Sequence, residues 1–240
     1  MTPEETATAV APATSALTSR FMLDGATYAR GGKLGFEGMA FYAAGRGGVL
    51  GDVHSDVVSA AFVFFNPDTV RAAWDSSATV APRHEAAAAF AECCHEWGRS
   101  HLPDDLDAER LAALGGKVSA AASPAGAPVF AGWRALPVPS DAKAAAVHHM
   151  NSLRELRMAK HAVAVLATGI HAGDAVRMHT PHMAALFGWT EPLADDAPVV
   201  DWDAIEARTN ELCAPDFAVL DAEERAEFAA LVTAANDRSA

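Results

Sequence analysis

Cysteine is scarce: Cys93, Cys94 and Cys213 are the whole supply of a 240-residue chain. Three are too few for a disulfide framework, and neighbouring cysteines rarely bond each other without strain, so a reducing compartment is expected. Long apolar runs are missing as well, since no stretch reaches the ~18 uncharged apolar residues that a membrane span needs. The opening MTPEETATAVAPATSALTSRF has neither a basic start nor a continuous apolar core, which argues against a secretory leader and for the cytoplasm. Basic residues are in the minority, 18 Lys and Arg against 31 Asp and Glu, a net charge of −13. That balance repels phosphate backbones and anionic lipid, so nucleic acid and membranes are disfavoured partners. Strand signals are few, with β-branched or aromatic density only at Val57–Phe65 and Val129–Phe130. No GxSxG, no Ser/His/Asp signature and no distinctive carboxylate pair supplies a self-sufficient catalytic motif.

What is present is alanine and helix punctuation. With 51% hydrophobic and 20% charged residues the chain is an ordinary globular one, long enough for one large domain or two small ones. Alanine, the strongest intrinsic helix former, dominates the periodic segments. Phe62–Phe65 stops at Asn66-Pro67-Asp68, where asparagine can cap and proline can take the first helical position, so this region reads as buried helix, turn, helix. Asp107 opens a helix running to about Ala122, where Ser123-Pro124-Ala125-Gly126 breaks it. Ser140-Asp141 opens a long central helix that Gly169 closes, and Asp221-Ala-Glu-Glu starts the last one. The expected organisation is a flexible segment over 1–25, an N-terminal helical half over 26–122, a Pro/Gly-rich junction over 123–139 and a C-terminal half over 140–240. The glycine-rich Gly31–Gly51 lacks a preceding strand and a P-loop Lys-Ser/Thr, so it reads as tight helix junctions rather than a nucleotide cradle.

Candidate chemistry gathers on the central segment AAAVHHMNSLRELRMAKHAVAVLAT, Ala144 to Thr168. At about 100° per residue Arg154 and His161 are nearly eclipsed with Arg157 on the adjoining turn, a stripe suited to a carboxylate or phosphate. His148 and Glu155 share another stripe, where the carboxylate could orient the imidazole or raise its pKa. A solvated face with i,i+4 pairs is the plain alternative. Cys93-Cys94-His95-Glu96 with His101 is a further cluster, whose spacing lacks the three or four regular ligands of a zinc site; His171, His179 and His182 form another that could join His161 in a metal site, with chance placement the plainer reading.

Several short motifs carry a family resemblance when taken in order. They are Gly45-Arg46 to Leu50-Gly51, Phe62 to Pro67, Trp97-Gly98-Arg99, Trp133-Arg134-Ala135-Leu136-Pro137, His148, the run Arg154-Glu155-x-Arg157-x-x-x-His161, and Ala207-Arg208-Thr209. Over about Gly31 to Ala235 the chain resembles the actinobacterial SalK/EvbL-type proteins, a helix-turn-helix group distantly similar to MarR-type winged-helix regulators. The resemblance implies a mainly α fold of two winged-helix-like helical halves packed together, the second wing degenerate. Leu156 stands where that family has a histidine, and Met158-Ala159 replaces a Gly-Asp. Between Trp189 and Ile205, where a recognition helix and wing would need basic and amide side chains, the chain offers Glu191, Asp195, Asp196, Asp201 and Asp203 and no Lys or Arg.

The expected function is therefore a small-molecule-binding protein, with a tailoring enzyme of actinobacterial specialised metabolism as its sharper form. Arg46, Trp133, Arg134, Arg154 and Arg157 are the expected ligand-binding residues, and His148, Glu155 and His161 the expected acid/base residues. A small anionic ligand is the expected partner, with a second copy of the chain as a further potential one. No cofactor can be named. Two alternatives stand beside it: a MarR-like regulator, and a haem- or metal-binding protein using histidine ligands.

Overall fold

Thr2 and Glu5 form a capping box and Pro3 takes the first helical position, so the chain enters a helix at once: α1, Pro3–Leu23. The computed structural model describes residues 1–193 and 197–239. Residues 1–25, expected to be a flexible segment, are instead anchored, because Val10, Leu17 and Phe21 at helical spacing bury one face of α1. Alanine and threonine between them blunt the hydrophobic contrast that would have shown this face in the sequence.

Asp24 caps α2 (Gly25–Lys33), and a glycine turn leads to α3 (Ala40–Gly47), whose eight residues are all buried. Glycine at position 45 is what allows that, since a Cβ there would stand 2.5 Å from Cβ of Phe90. The helix, turn and helix expected around Asn66 are α4 (Ser55–Phe62) and α5 (Pro67–Ser77), with Asn66 accepting from the backbone N–H of Asp68. Next come α6 (Arg83–His101), α7 (Ala108–Ala121, capped by Asp107) and α8 (Pro128–Arg134). Residues 123–139 thus contain α8, which buries Val129, Phe130 and Trp133.

The central helix is α9, Ala142–Leu166, capped by Asp141 and followed by Gly169 at φ 81°. It packs against α6, α7, α8 and α1, so the N-terminal elements and α9 share one core that runs from Ala7 to Ala235. Beyond it lie α10 (Ala172–His179), α11 (Pro181–Ala184), α12 (Trp202–Cys213) and α13 (Ala222–Arg238), the last packed along α1. A smaller apolar cluster joins Phe64, Val165, Val176 and Ile205 at the C-terminal end of α9.

The fold is mainly α. Among the described residues there is no strand, and hence no β-hairpin that would serve as a wing in either half. The strand-like Val57–Phe65 forms α4 and the turn after it, because its β-branched and aromatic residues bury against other helices. No helix among the described residues is long and apolar enough to cross a membrane. Of the acidic segment, Asp195 and Asp196 lie outside the described residues; Asp201 caps α12 and Glu191 lies 3.5 Å from Arg177.

Candidate functional site around the Phe62–Phe65 turn

Between α4 and α5 the backbone makes a three-residue turn in which the N–H of Phe64 donates to the carbonyl of Phe62 at 2.6 Å. Its central residue, Val63, sits at φ 51°, ψ −62° and is the only non-glycine with positive φ among the described residues. This is the strained form of the γ-turn, and a β-branched side chain makes it costlier. Two long-range bonds hold it, from the Asn66 N–H to the Phe187 carbonyl (2.8 Å) and from the Trp189 indole to the Phe64 carbonyl (2.8 Å).

The strain has a geometric result. Val63, Phe64 and Phe65 each line a different cavity against α9. Phe64 walls a space of ≈ 170 Å³ with Met158, His161, Met183, Phe187 and Trp202. Val63 faces one of ≈ 130 Å³ whose polar lining is Arg46 and Glu155. Phe65 lines the third, ≈ 60 Å³, with Tyr42, Arg154, Met183 and Phe187. Met158 is common to the first two, and Met183 with Phe187 to the first and third, so the three adjoin.

The charged group is an interior triad. Glu155 accepts from Arg46 Nε (2.9 Å) and Nη2 (2.8 Å) and from Arg154 Nη1 (2.7 Å). Arg46 and Glu155 are 2% exposed, and the Arg46 guanidinium lies 4.2 Å from the centre of the Phe62 ring. Burial opposes ionisation of both, but the Arg46 and Arg154 charges outweigh it and hold the Glu155 carboxyl below its ordinary range.

The expected His148–Glu155 pair does not form. A separation of seven residues places their Cα atoms about 10 Å apart along the helix, and both Glu155 oxygens are occupied by guanidinium groups. His148 Nδ1 instead meets His95 Nε2 at 3.1 Å, and His95 Nδ1 lies 3.4 Å from a Glu92 carboxylate oxygen. A carboxylate can only accept, so His95 donates from Nδ1, His148 donates to His95 Nε2, and His148 Nε2 is left as a bare acceptor. That atom is buried with no partner, and burial pushes the imidazole down to about 3.

The Arg154/Arg157/His161 stripe also divides. Arg157 turns to α12, bonding Asn210 at 2.9 Å and pairing with Glu206. Arg134 caps α7 by donating to the carbonyls of Ser119 (3.3 Å) and Ala122 (2.8 Å), and Trp133 donates to the Arg46 carbonyl at 3.4 Å. These three have protein partners; of the expected ligand-binding residues, Arg46 and Arg154 line the cavities beside the turn, and Arg157 lines a separate crevice against α1.

His161 is the best-defined acid/base group. Its Nδ1 lies 3.0 Å from Thr209 Oγ1, whose single hydroxyl proton is already donated to the Ile205 carbonyl at 2.8 Å. Nδ1 must therefore be the donor, which leaves Nε2 unprotonated. Burial, assisted by Arg157 and His179 against Glu206, lowers the pKa and keeps the ring neutral near pH 7. The result is a neutral imidazole on the wall of the 170 Å³ cavity, holding a free lone pair.

Thr209 as the partner of His161, and His95 as the partner of His148, are pairings the sequence did not predict. Thr209 ends the Ala207-Arg208-Thr209 motif, so a signal existed; the meeting of His95 with a helix 53 positions on had none. Of the other histidines, His171 caps α10, His179 stacks on Trp202 at 4.4 Å and His101 stacks on Trp97 at 4.8 Å. Among the described residues no group of three or more His, Cys, Asp or Glu could hold a metal ion.

A helix-turn-helix family matches the chain over residues 7–198, which takes in most of α1, all of α2 to α11 and the whole turn. Neither the curated proteins nor the solved structures contain a match to it.

Proposed function

From the premise that this chain belongs to that helix-turn-helix family, we propose that it is a small-molecule-binding protein whose ligand sits beneath the Phe62–Phe65 turn. The observation that carries the proposal is His161: a neutral imidazole whose Nδ1 is committed to Thr209, leaving Nε2 as an acceptor, lines an apolar, aromatic cavity of ≈ 170 Å³. An apolar cavity of roughly 150 Å³ takes up a benzene-sized guest, and an acceptor on a wall whose other polar residues are His179 and Thr180 favours a guest with a donor. The ligand class is thus a small aromatic molecule bearing a hydroxyl. The same lone pair is the atom through which a tailoring enzyme would take a proton from the bound molecule, the reaction class suggested by the resemblance to SalK/EvbL-type proteins.

The test compares 4-ethylphenol with its methyl ether, reading melting temperature and tryptophan fluorescence, since Trp202 walls the cavity. The phenol is expected to bind several-fold more tightly, and His161→Phe to erase the difference. No shift with either probe at millimolar concentration would reject the reading.

Family membership supports a second reading, a MarR-like transcriptional regulator. Within the matched residues α4 and α5 are two helices joined by a short turn, and the exposed positions of α5 include Asp68, Arg71 and Asp75. Arg71 is bound by Asp68 (2.6 Å) and Asp56 (3.2 Å), so this face presents little free positive charge to phosphates. Tight, salt-sensitive gel shifts with promoter DNA would favour the regulator over the ligand-binding reading.

A further inference from the structure

The triad beside the turn does not balance. Two guanidinium groups share one carboxylate, and among the described residues neither has another acidic partner within ion-pair distance. Arg154 is 14% exposed at its side chain, and its Nε is buried without any hydrogen-bond partner. One positive charge is therefore left over in the interior of a protein whose net charge is −13. Arg46 donates twice to Glu155 and lies over the Phe62 ring, whereas Arg154 donates to it once, so the less fully paired guanidinium is that of Arg154. Arg154 lines the smallest of the three cavities, whose other walls include Tyr42, Phe65, Met183 and Phe187.

A partly buried guanidinium with donors to spare beside apolar walls is a site for a carboxylate, which can accept two bonds from it. Resting on the reading that these cavities hold a small organic molecule, we infer that the ligand is an aromatic carboxylic acid. Its carboxylate docks on Arg154, and its body passes Met183 and Phe187, which belong to both cavities. Its hydroxyl reaches His161. Helix geometry sets the length: Arg154 and His161 are seven residues apart on one side of α9, about 10 Å along the axis. A two-carbon tether between carboxylate and ring suits that span better than a carboxylate attached directly.

The experiment uses the full chain and calorimetric titration with 3-(4-hydroxyphenyl)propionate, its methyl ester and 3-phenylpropionate. The acid is expected to bind at least tenfold more tightly than the ester. Arg154→Gln should remove that preference while keeping the hydroxyl preference, and His161→Phe should do the reverse. Arg154→Lys, which retains the charge, should keep part of the acid preference and guards against a variant that merely unfolds. Equal binding of acid and ester by the unaltered protein would overturn the carboxylate while leaving the small-molecule reading in place. Failure of all three compounds and of 4-ethylphenol to bind would remove both.

Discussion

At Val63 a β-branched side chain occupies backbone space that glycine prefers, and the sequence around it, Phe62-Val63-Phe64-Phe65, contains nothing that marks the strain. The benefit is local: three consecutive side chains enter three cavities, which an extended or helical backbone would not allow. Such strain costs about 1–3 kcal/mol. Substitution should therefore invert the usual order. Val63→Gly, which relieves the backbone, is expected to be more stable than Val63→Ala by about 1 kcal/mol, because alanine loses the methyl contacts yet keeps the offending Cβ. Paired thermal melts check this, and an alanine variant as stable as the glycine one would mean that the turn is unstrained.

Between elements, the Arg46–Glu155 pair joins α3 to α9, and its 109-residue separation is invisible to any helical wheel. Spacing along α9 paired His148 with Glu155, and the structure pairs each elsewhere, since periodicity says which side chains share a face and not what lies opposite. Removing the one carboxylate strands two guanidinium groups, so Glu155→Leu is expected to cost about 3–5 kcal/mol in urea unfolding. Removing both charges should be cheaper: Arg46→Met with Glu155→Leu is expected to recover at least half of that loss. A double variant no better than the single would show that the two charges are not coupled.

Across the whole molecule, buried and half-buried histidines set an acid limit. His95, His148, His149 and His161 all have pKa values depressed below 6.5, with burial the first cause in each. A depressed histidine binds fewer protons folded than unfolded, so its stability contribution is complete above pH 6.5 and is lost as pH falls toward the folded value. For Glu155, also depressed, the loss begins only below its unfolded value of 4.5. The melting temperature should therefore decline between pH 7 and pH 5, before the carboxylates titrate. His148→Gln should flatten that decline, and a flat profile for the unaltered protein would show that the imidazoles protonate freely in the fold.

Helix positions were legible because caps and breakers act within a few residues: Asn66-Pro67, Asp107, Asp141 and Asp221 each start a helix where the chain said they would. His161, Arg154 and Arg46 were legible as chemistry, because ionisable groups on a half-apolar helix need partners. Which partners they have, which histidine tautomer Thr209 imposes, and which guanidinium is less fully paired were decided by contacts between segments tens of residues apart. Local composition determined the helices; the tertiary packing of α3, α4, α9 and α12 decided the site, because desolvation and pairing depend on what is opposite rather than on what is adjacent.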